Sequence, residues 1–136
     1  MRPRNIRKHH VEDLSNEVVD TYLVAGEEVR DWISPALCLG GHDRVYKWIP
    51  KGEIWIEDHM GHRETDTIAF HELRERALML TGMTYNQAHK IAEAEENKLR
   101  HAPLYKLESA IKRALLANWE ITVRGSSKRR KRARCK

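Results

Sequence analysis

Residues 66–100 read DTIAFHELRERALMLTGMTYNQAHKIAEAEENKLR and divide into two amphipathic helices joined by a short turn. In the first half, apolar side chains recur at intervals of three and four, as one buried helix face over about 66–80 requires: Phe70, Leu73, Ala77 and Leu80. Gly82 is typical of a helix C-terminus. Thr84-x-x-Gln87 has the pattern of a capping box, which predicts a second helix to about residue 100.

The two helices carry His and Glu side chains at the spacing that ligands of one metal ion need. His71 and Glu75 are four residues apart, and so are His89 and Glu93, so each pair lies on one helix face. A short turn makes the helices neighbours, and the two pairs can then converge on one ion. The third ligand beside His71 and Glu75 is open among His89, Glu93 and Glu96.

Glu72 follows the first histidine directly and is placed to take a proton from a metal-bound water, as a general base. The alternative interpretation is an ordinary charged helix surface, with these carboxylates simply solvated. Against it, Glu75 lies among Leu73, Ala77 and Leu78, which are apolar. A buried metal site is therefore the better interpretation of the pattern.

The motif His71-Glu72-x-x-Glu75, followed by a second ligand helix, resembles the zincin metallopeptidases, especially their small single-domain members. The resemblance implies that His71 is a ligand, that Glu72 is the general base, and that Glu75 occupies the place of the second histidine. His89 or Glu93 would be the third ligand. Zinc is the implied cofactor, with manganese or iron as alternatives, because an added carboxylate favours a harder ion.

The resemblance also implies how the substrate binds. In zincins a strand before the active helix pairs with an extended peptide or protein substrate, and residues 53–57 stand in that place as an edge strand. Over about residues 40–100 the chain also resembles a group of bacteriophage-encoded proteins, which makes a virus-encoded origin an expectation.

The remaining pattern predicts an α+β domain. Alternating Glu53, Ile54, Trp55, Ile56 and Glu57 indicate a strand, and residues 45–49 indicate another. Apolar spacings of three and four over 11–33 predict an N-terminal helix. Pro103 opens a C-terminal helix that ends near residue 118, and residues 119–123 are a short candidate strand. The fold class is thus a small sheet, the two-helix metal site, and N- and C-terminal helices.

Basic residues are concentrated at the two ends of the chain. The net charge is +5, but residues 1–8 and 128–136 hold eleven of the 25 Lys and Arg and no acid. The body between them has 14 bases against 20 acids, a net charge of about −6. We predict a basic N-terminal arm over 1–10, a single zincin-like domain over 11–123, and a disordered basic tail over 124–136.

The tail is a candidate nucleic-acid-binding segment, because blocks of like charge attract phosphates. Its basic residues are Lys128, Arg129, Arg130, Lys131, Arg132, Arg134 and Lys136. Bulk features predict a soluble, cytoplasmic protein with no membrane contact, since the chain has neither a long apolar run nor a secretory h-region.

Two functions follow from these patterns. The leading one is a metal-dependent hydrolase, most simply a zinc peptidase that uses the HExxE helix and the second His/Glu helix. The alternative is a nucleic-acid-associated structural or accessory viral protein whose metal site is structural or vestigial. An open position on the ion favours the enzyme, and a closed shell of four protein ligands favours the structural role.

Overall fold

A computed structural model describes residues 6–134, and side chains within 6–125, as an α+β fold with a four-stranded sheet. The strands are β1 (Lys8–His10), β2 (Asp20–Val24), β3 (Gly40–His42) and β4 (Glu53–Glu57), in the order β1-β2-β4-β3. The helices are α1 (Gly26–Trp32), α2 (His62–Leu80), α3 (Tyr85–Arg100) and α4 (Leu104–Arg134), and Glu12–Leu14 form a 3₁₀ turn.

The sheet is mixed, and β4 lies inside it. β4 pairs in parallel with β2 and antiparallel with β3, while β1 pairs antiparallel with β2. The predicted strand at 53–57 is therefore confirmed, but its predicted place at the sheet edge is wrong. With hydrogen-bonded neighbours on both sides, β4 has no free backbone groups on which an extended peptide could add as a further strand.

The two faces of the sheet bury two apolar clusters. Ile54 and Ile56 of β4 pack against α2 and α4, in a core that includes Phe70, Leu73 and Leu107. Trp55 points to the opposite face and packs with residues of β2, of α1 and of the segments before and after β3: Val24, Val29, Leu37 and Ile49. The period-two alternation of β4 thus divides its side chains between two covered faces.

The predicted N-terminal helix over 11–33 is wrong for most of its length, because only Gly26–Trp32 are α-helical. Residues 18–24 include valine, threonine and tyrosine, which favour a strand. Pairing decides between the two: Asp20 through Val24 are in parallel register with Glu53 through Glu57 of β4. The predicted basic arm is also partly structured, since Lys8–His10 form β1, and residues 1–5 lie outside the described residues.

Close packing explains why the strand beside β4 is Gly40–His42 and not the predicted 45–49. A Cβ on Gly40 would lie 2.9 Å from Ile68 Cγ2 of α2, and one on Gly41 would lie 2.5 Å from the ring of Tyr46. Only glycine permits such approaches. Gly40 therefore lets β3 pack against α2, and Gly41 lets the ring of Tyr46 pack against β3.

A buried polar network joins α2 to the segment after β3 and to α4. Arg76 Nε donates to Asp43 Oδ1 at 2.7 Å, and Arg76 Nη1 donates to Asn118 Oδ1 at 2.8 Å. Asn118 Nδ2 in turn donates to the backbone oxygens of Leu73 and Ala114. All three polar side chains are shielded from solvent, so the network fixes the position of α2 relative to both partners.

The C-terminal helix is longer than predicted. α4 continues through Asn118 to Arg134, so the strand predicted at 119–123 is wrong, and the backbone of the predicted disordered tail is helical up to Arg134. Residues 119–123 include the β-branched Ile121, Thr122 and Val123, but they lie in no strand of the described sheet and continue the helix that begins at Leu104. The side chains of 126–136 lie outside the described residues, so nucleic-acid binding by the tail stays a prediction. Within 6–134, no helix combines the length and apolarity needed to cross a membrane.

Candidate metal centre

The carboxylate of Glu75 is the centre of a cluster of three histidines. Glu75 Oε1 lies 2.8 Å from His42 Nε2, while Oε2 lies 3.0 Å from His71 Nε2 and 2.8 Å from His89 Nδ1. His42 is fully buried, and Glu75 is only 2% exposed. Three ring nitrogens around one buried carboxylate are a chemically unusual group that a plain charged helix surface would not form.

Three elements bring these side chains together: β3, which ends at His42, and the helices α2 and α3. His71 and Glu75 share one face of α2 by their four-residue spacing, and α3 returns beside α2 after a short turn. The predicted capping box is confirmed: the Thr84 hydroxyl accepts from Gln87 N, and the Gln87 amide oxygen accepts from Thr84 N. This cap fixes the start of α3 and therefore the position of His89, which lies in its second turn.

His71, Glu75 and His89 offer ligand atoms that lie within 4.8 Å of one another. The structure therefore brings three of the predicted site residues together. Two imidazoles and one carboxylate are the donor set of many catalytic zinc sites, which keep a further position open for water or substrate. The same donor types also bind manganese and iron.

Glu93, also predicted as a ligand, lies on the far side of His89. Its Oε2 is 3.9 Å from His89 Nε2, whereas the opposite ring nitrogen, Nδ1, faces Glu75. The Glu93 side chain is 58% exposed, and it belongs to no described group of converging ligand atoms. The four-residue spacing places Glu93 on the same face of α3 as His89, but one turn further along the helix, where the side chain is exposed. Among the three candidates for the third ligand, the geometry favours His89.

Glu96, the third candidate, contacts the other nitrogen of His71. Its Oε1 lies 2.8 Å from His71 Nδ1, at an angle outside hydrogen-bond geometry, and its Oε2 accepts from Arg100 Nη2. A carboxylate behind a ligand histidine orients the ring and leaves Nε2 directed at the ion. Glu96 is therefore placed to support His71 and not to bind the ion itself.

Glu72 lies beside the ligands without sharing their contacts. Its Oε2 is 4.0 Å from His71 Nε2, and the residue is 8% exposed. Burial, and after it the charge of Glu75, raises the pKa of Glu72 to about 8. A carboxyl group whose pKa lies near neutrality can both accept and return a proton, as a general acid–base group must.

The two helix ligands on α2 have pKa values displaced in opposite directions. Burial lowers the pKa of His71, but its hydrogen bond with Glu75 and the charges of the neighbouring carboxylates outweigh burial and raise it to about 9. Burial raises the pKa of Glu75, but hydrogen bonds from His42, His71 and His89 outweigh burial and lower it to about 2. A protonated His71 thus neutralises Glu75 when no ion is present.

His42 is the residue of the cluster that the sequence analysis does not identify. Arg44 N donates to His42 Nδ1 at 3.2 Å, so the proton of the neutral ring lies on Nε2 and is donated to Glu75 Oε1. By distance alone, His42, Glu72 and Glu75 could hold a second ion. The ring has no free lone pair in this arrangement, because both nitrogens are engaged, so His42 fixes the ligand carboxylate instead.

His71, Glu72, Glu75 and His89 line a cleft of about 300 Å³, and His42 lies buried behind them. Comparison with known proteins gives no match, whether to a family model, a curated protein or a solved structure. The function must therefore be argued from the residues of the cleft.

Proposed function

We propose that the protein is a metal-dependent hydrolase with one divalent ion held by His71 Nε2, Glu75 Oε2 and His89 Nδ1. The convergence of these three ligand atoms within 4.8 Å, at the floor of an open cleft, is the observation that carries the proposal. Zinc suits the donor set best, and manganese or iron are the alternatives. When bound, such an ion polarises a carbonyl oxygen and acidifies a water molecule.

The residues around the ligands have distinct tasks in this proposal. Glu72 accepts a proton from the attacking water and delivers it to the leaving group, so that a carbon–oxygen bond forms as the bond to nitrogen or oxygen breaks. His42 holds Glu75 through Oε1, which leaves Oε2 as the ligand atom. Glu96 faces Nδ1 of His71 from behind and acts on the ring through its charge. The HExxE motif supports a zincin-like peptidase as the kind of hydrolase.

A zinc titration of the chelator-treated protein tests the proposal. We expect one ion per chain, and we expect His89→Ala to weaken zinc binding by more than about tenfold, which is the lower limit for loss of a supporting group. Glu93→Gln is the matched control on the same helix and should leave the affinity unchanged, because its carboxylate lies outside the cluster. Two ions per chain, or equal effects of the two substitutions, would contradict the proposed ligand set. A coordination shell closed by four protein side chains would favour a structural ion.

Zinc affinity is expected to increase with pH and to level off above about pH 9. With its pKa raised to about 9, His71 is protonated at neutral pH, and the ion must displace that proton. Each released proton makes the affinity rise about tenfold per pH unit. Isothermal titration calorimetry at pH 6, 7 and 8, in buffers with different ionisation enthalpies, counts the protons released. An affinity that stays flat over this range would mean that His71 is not displaced from a protonated state.

A further inference from the structure

The floor of the cleft carries an excess of negative charge. Four carboxylates line it, those of Glu72, Glu75, Glu93 and Glu96. Apart from the histidines of the site, the one basic side chain in the described lining is Arg100. The guanidinium of Arg100 is already engaged, with Nη1 donating to Glu64 and Nη2 to Glu96. With a divalent ion added and all four carboxylates ionised, the lining keeps one net negative charge. Away from the ion, a phosphate or carboxylate group on a substrate therefore meets the negative charge of the lining and finds no free cation.

The walls of the cleft are apolar, and the first of them is Leu39. Its backbone has a φ of 64°, which is uncommon for a leucine. Glu57 holds this conformation, because Leu39 N donates to Glu57 Oε2 at 3.0 Å and Glu57 N donates to Leu39 O at 2.8 Å. The side chain stays 38% exposed and lines the cleft. A large apolar group is thus held at the cleft by a strained and doubly anchored backbone.

Two tyrosines complete the apolar walls. The ring of Tyr46 packs over Gly41 and stacks on Trp48 with a centroid distance of 4.8 Å, and its hydroxyl donates to Ala36 O at 3.2 Å. The ring of Tyr85 stacks on His89 at 5.3 Å and is 42% exposed. Aromatic side chains fixed in this way offer apolar contact area with little loss of conformational freedom on binding.

The sheet edge beside the cleft is unsuited to pairing with a peptide. Gly40 N on β3 donates to Cys38 O at 2.7 Å, and His42 O accepts from the backbone of Val45 and Tyr46. These are backbone groups that an added strand would need. With β4 inside the sheet, recognition must rest on the side chains of the cleft.

We propose that the site takes a neutral amide or ester whose apolar group packs against Leu39, Tyr46 and Tyr85, in preference to an anionic substrate or a peptide bound as an added strand. This inference rests on the proposed hydrolase function, because it assigns the carbonyl group to the ion. Two properties of the cleft, its acidic floor and its fixed apolar walls, define this substrate class.

Hydroxamates bound to the cobalt-substituted protein test the inference without any need for turnover. The probes are 4-methylpentanohydroxamic acid, which ends in an isobutyl group, and the monohydroxamate of succinic acid, which ends in a carboxylate. The visible absorption of cobalt reports their binding. We expect the apolar probe to bind at least about tenfold more tightly, as burial of a leucine-like group predicts.

Two matched variants locate the apolar contact. Leu39→Asn should lower the affinity for the apolar probe by about fivefold to tenfold, because it removes the apolar wall. It should leave the affinity for cobalt unchanged, because asparagine tolerates the positive φ at this position. Leu116→Asn removes an exposed leucine of α4 that does not line this cleft, and it should change neither affinity. Equal effects of the two variants, or tighter binding of the carboxylate probe, would overturn the substrate inference alone. Failure to bind cobalt would overturn the proposed function as well.

Discussion

Glu72→Gln is expected to lower the rate of hydrolysis by about 10²–10⁴-fold while changing zinc affinity by less than about twofold. The carboxylate lies 4.0 Å from His71 Nε2 but is not among the three converging ligand atoms around Glu75 Oε2. Glutamine keeps the shape of the side chain and removes its ability to accept a proton. The measurement is turnover of an amide or ester substrate by zinc-loaded protein, beside the zinc titration curve.

Glu93→Gln is the matched control, because it makes the same chemical change to an exposed carboxylate at the same cleft. We expect it to retain most of the wild-type rate. Equal rates for Glu72→Gln and wild type would show that Glu72 is not the base. A large loss of zinc by Glu72→Gln would instead make Glu72 a ligand, and the role of Glu75 would have to be reconsidered.

Arg76→Ala is expected to lower the free energy of unfolding by about 3–5 kcal/mol, the cost of leaving one partner of a buried ion pair alone. Both Arg76 and Asp43 have side chains less than a tenth exposed, and Arg76 also donates to buried Asn118. For a chain of this length the melting temperature should fall by about 10–20 °C. Urea unfolding of the chelator-treated protein measures this change in the free energy of unfolding without any contribution from a bound ion.

Arg74→Ala is the control on the same helix. Arg74 pairs with Glu95, but the two side chains are 32% and 39% exposed, so water and salt screen their attraction. Loss of such a pair costs less than about 1 kcal/mol. Equal destabilisation by the two substitutions would mean that the network of Arg76, Asp43 and Asn118 does not hold α2 in place.

Local spacing predicts those parts of the site that lie within one helical hairpin. The four-residue interval between His71 and Glu75 follows from helix geometry, and the capping box at Thr84 and Gln87 fixes where α3 begins. Convergence of His89 on Glu75 then needs only a short turn. These features depend on neighbours along the chain, which is why the sequence suffices to predict them.

The remaining part of the site depends on contacts distant in sequence. His42 reaches Glu75, 33 residues away along the chain, because Gly40 lets β3 pack against Ile68 of α2. The adjacent glycines are the one signal that could have identified it. Glu93 is a predicted ligand that lies outside the cluster. Its helix face is predicted correctly, but the face alone does not determine how deeply a side chain is buried.

Strand pairing explains the errors in the predicted fold. The segment 20–24 has apolar spacing that fits a helix, but its pairing with β4 provides hydrogen bonds and a buried face that an isolated helix would lack. The same pairing moves β4 from the predicted edge to the interior of the sheet. The α+β class is nevertheless confirmed, because the long helices and the alternating strand are strong local signals.

An anomalous-difference map from a zinc-soaked crystal tests the central claim most directly. We expect one peak per chain, at zinc-ligand distances of about 2.0–2.2 Å from His71 Nε2, Glu75 Oε2 and His89 Nδ1, with His42 Nε2 still bonded to Glu75 Oε1. A map with no peak at this cluster, or with a peak at ligand distance from His42 Nε2, would contradict the proposed metal site.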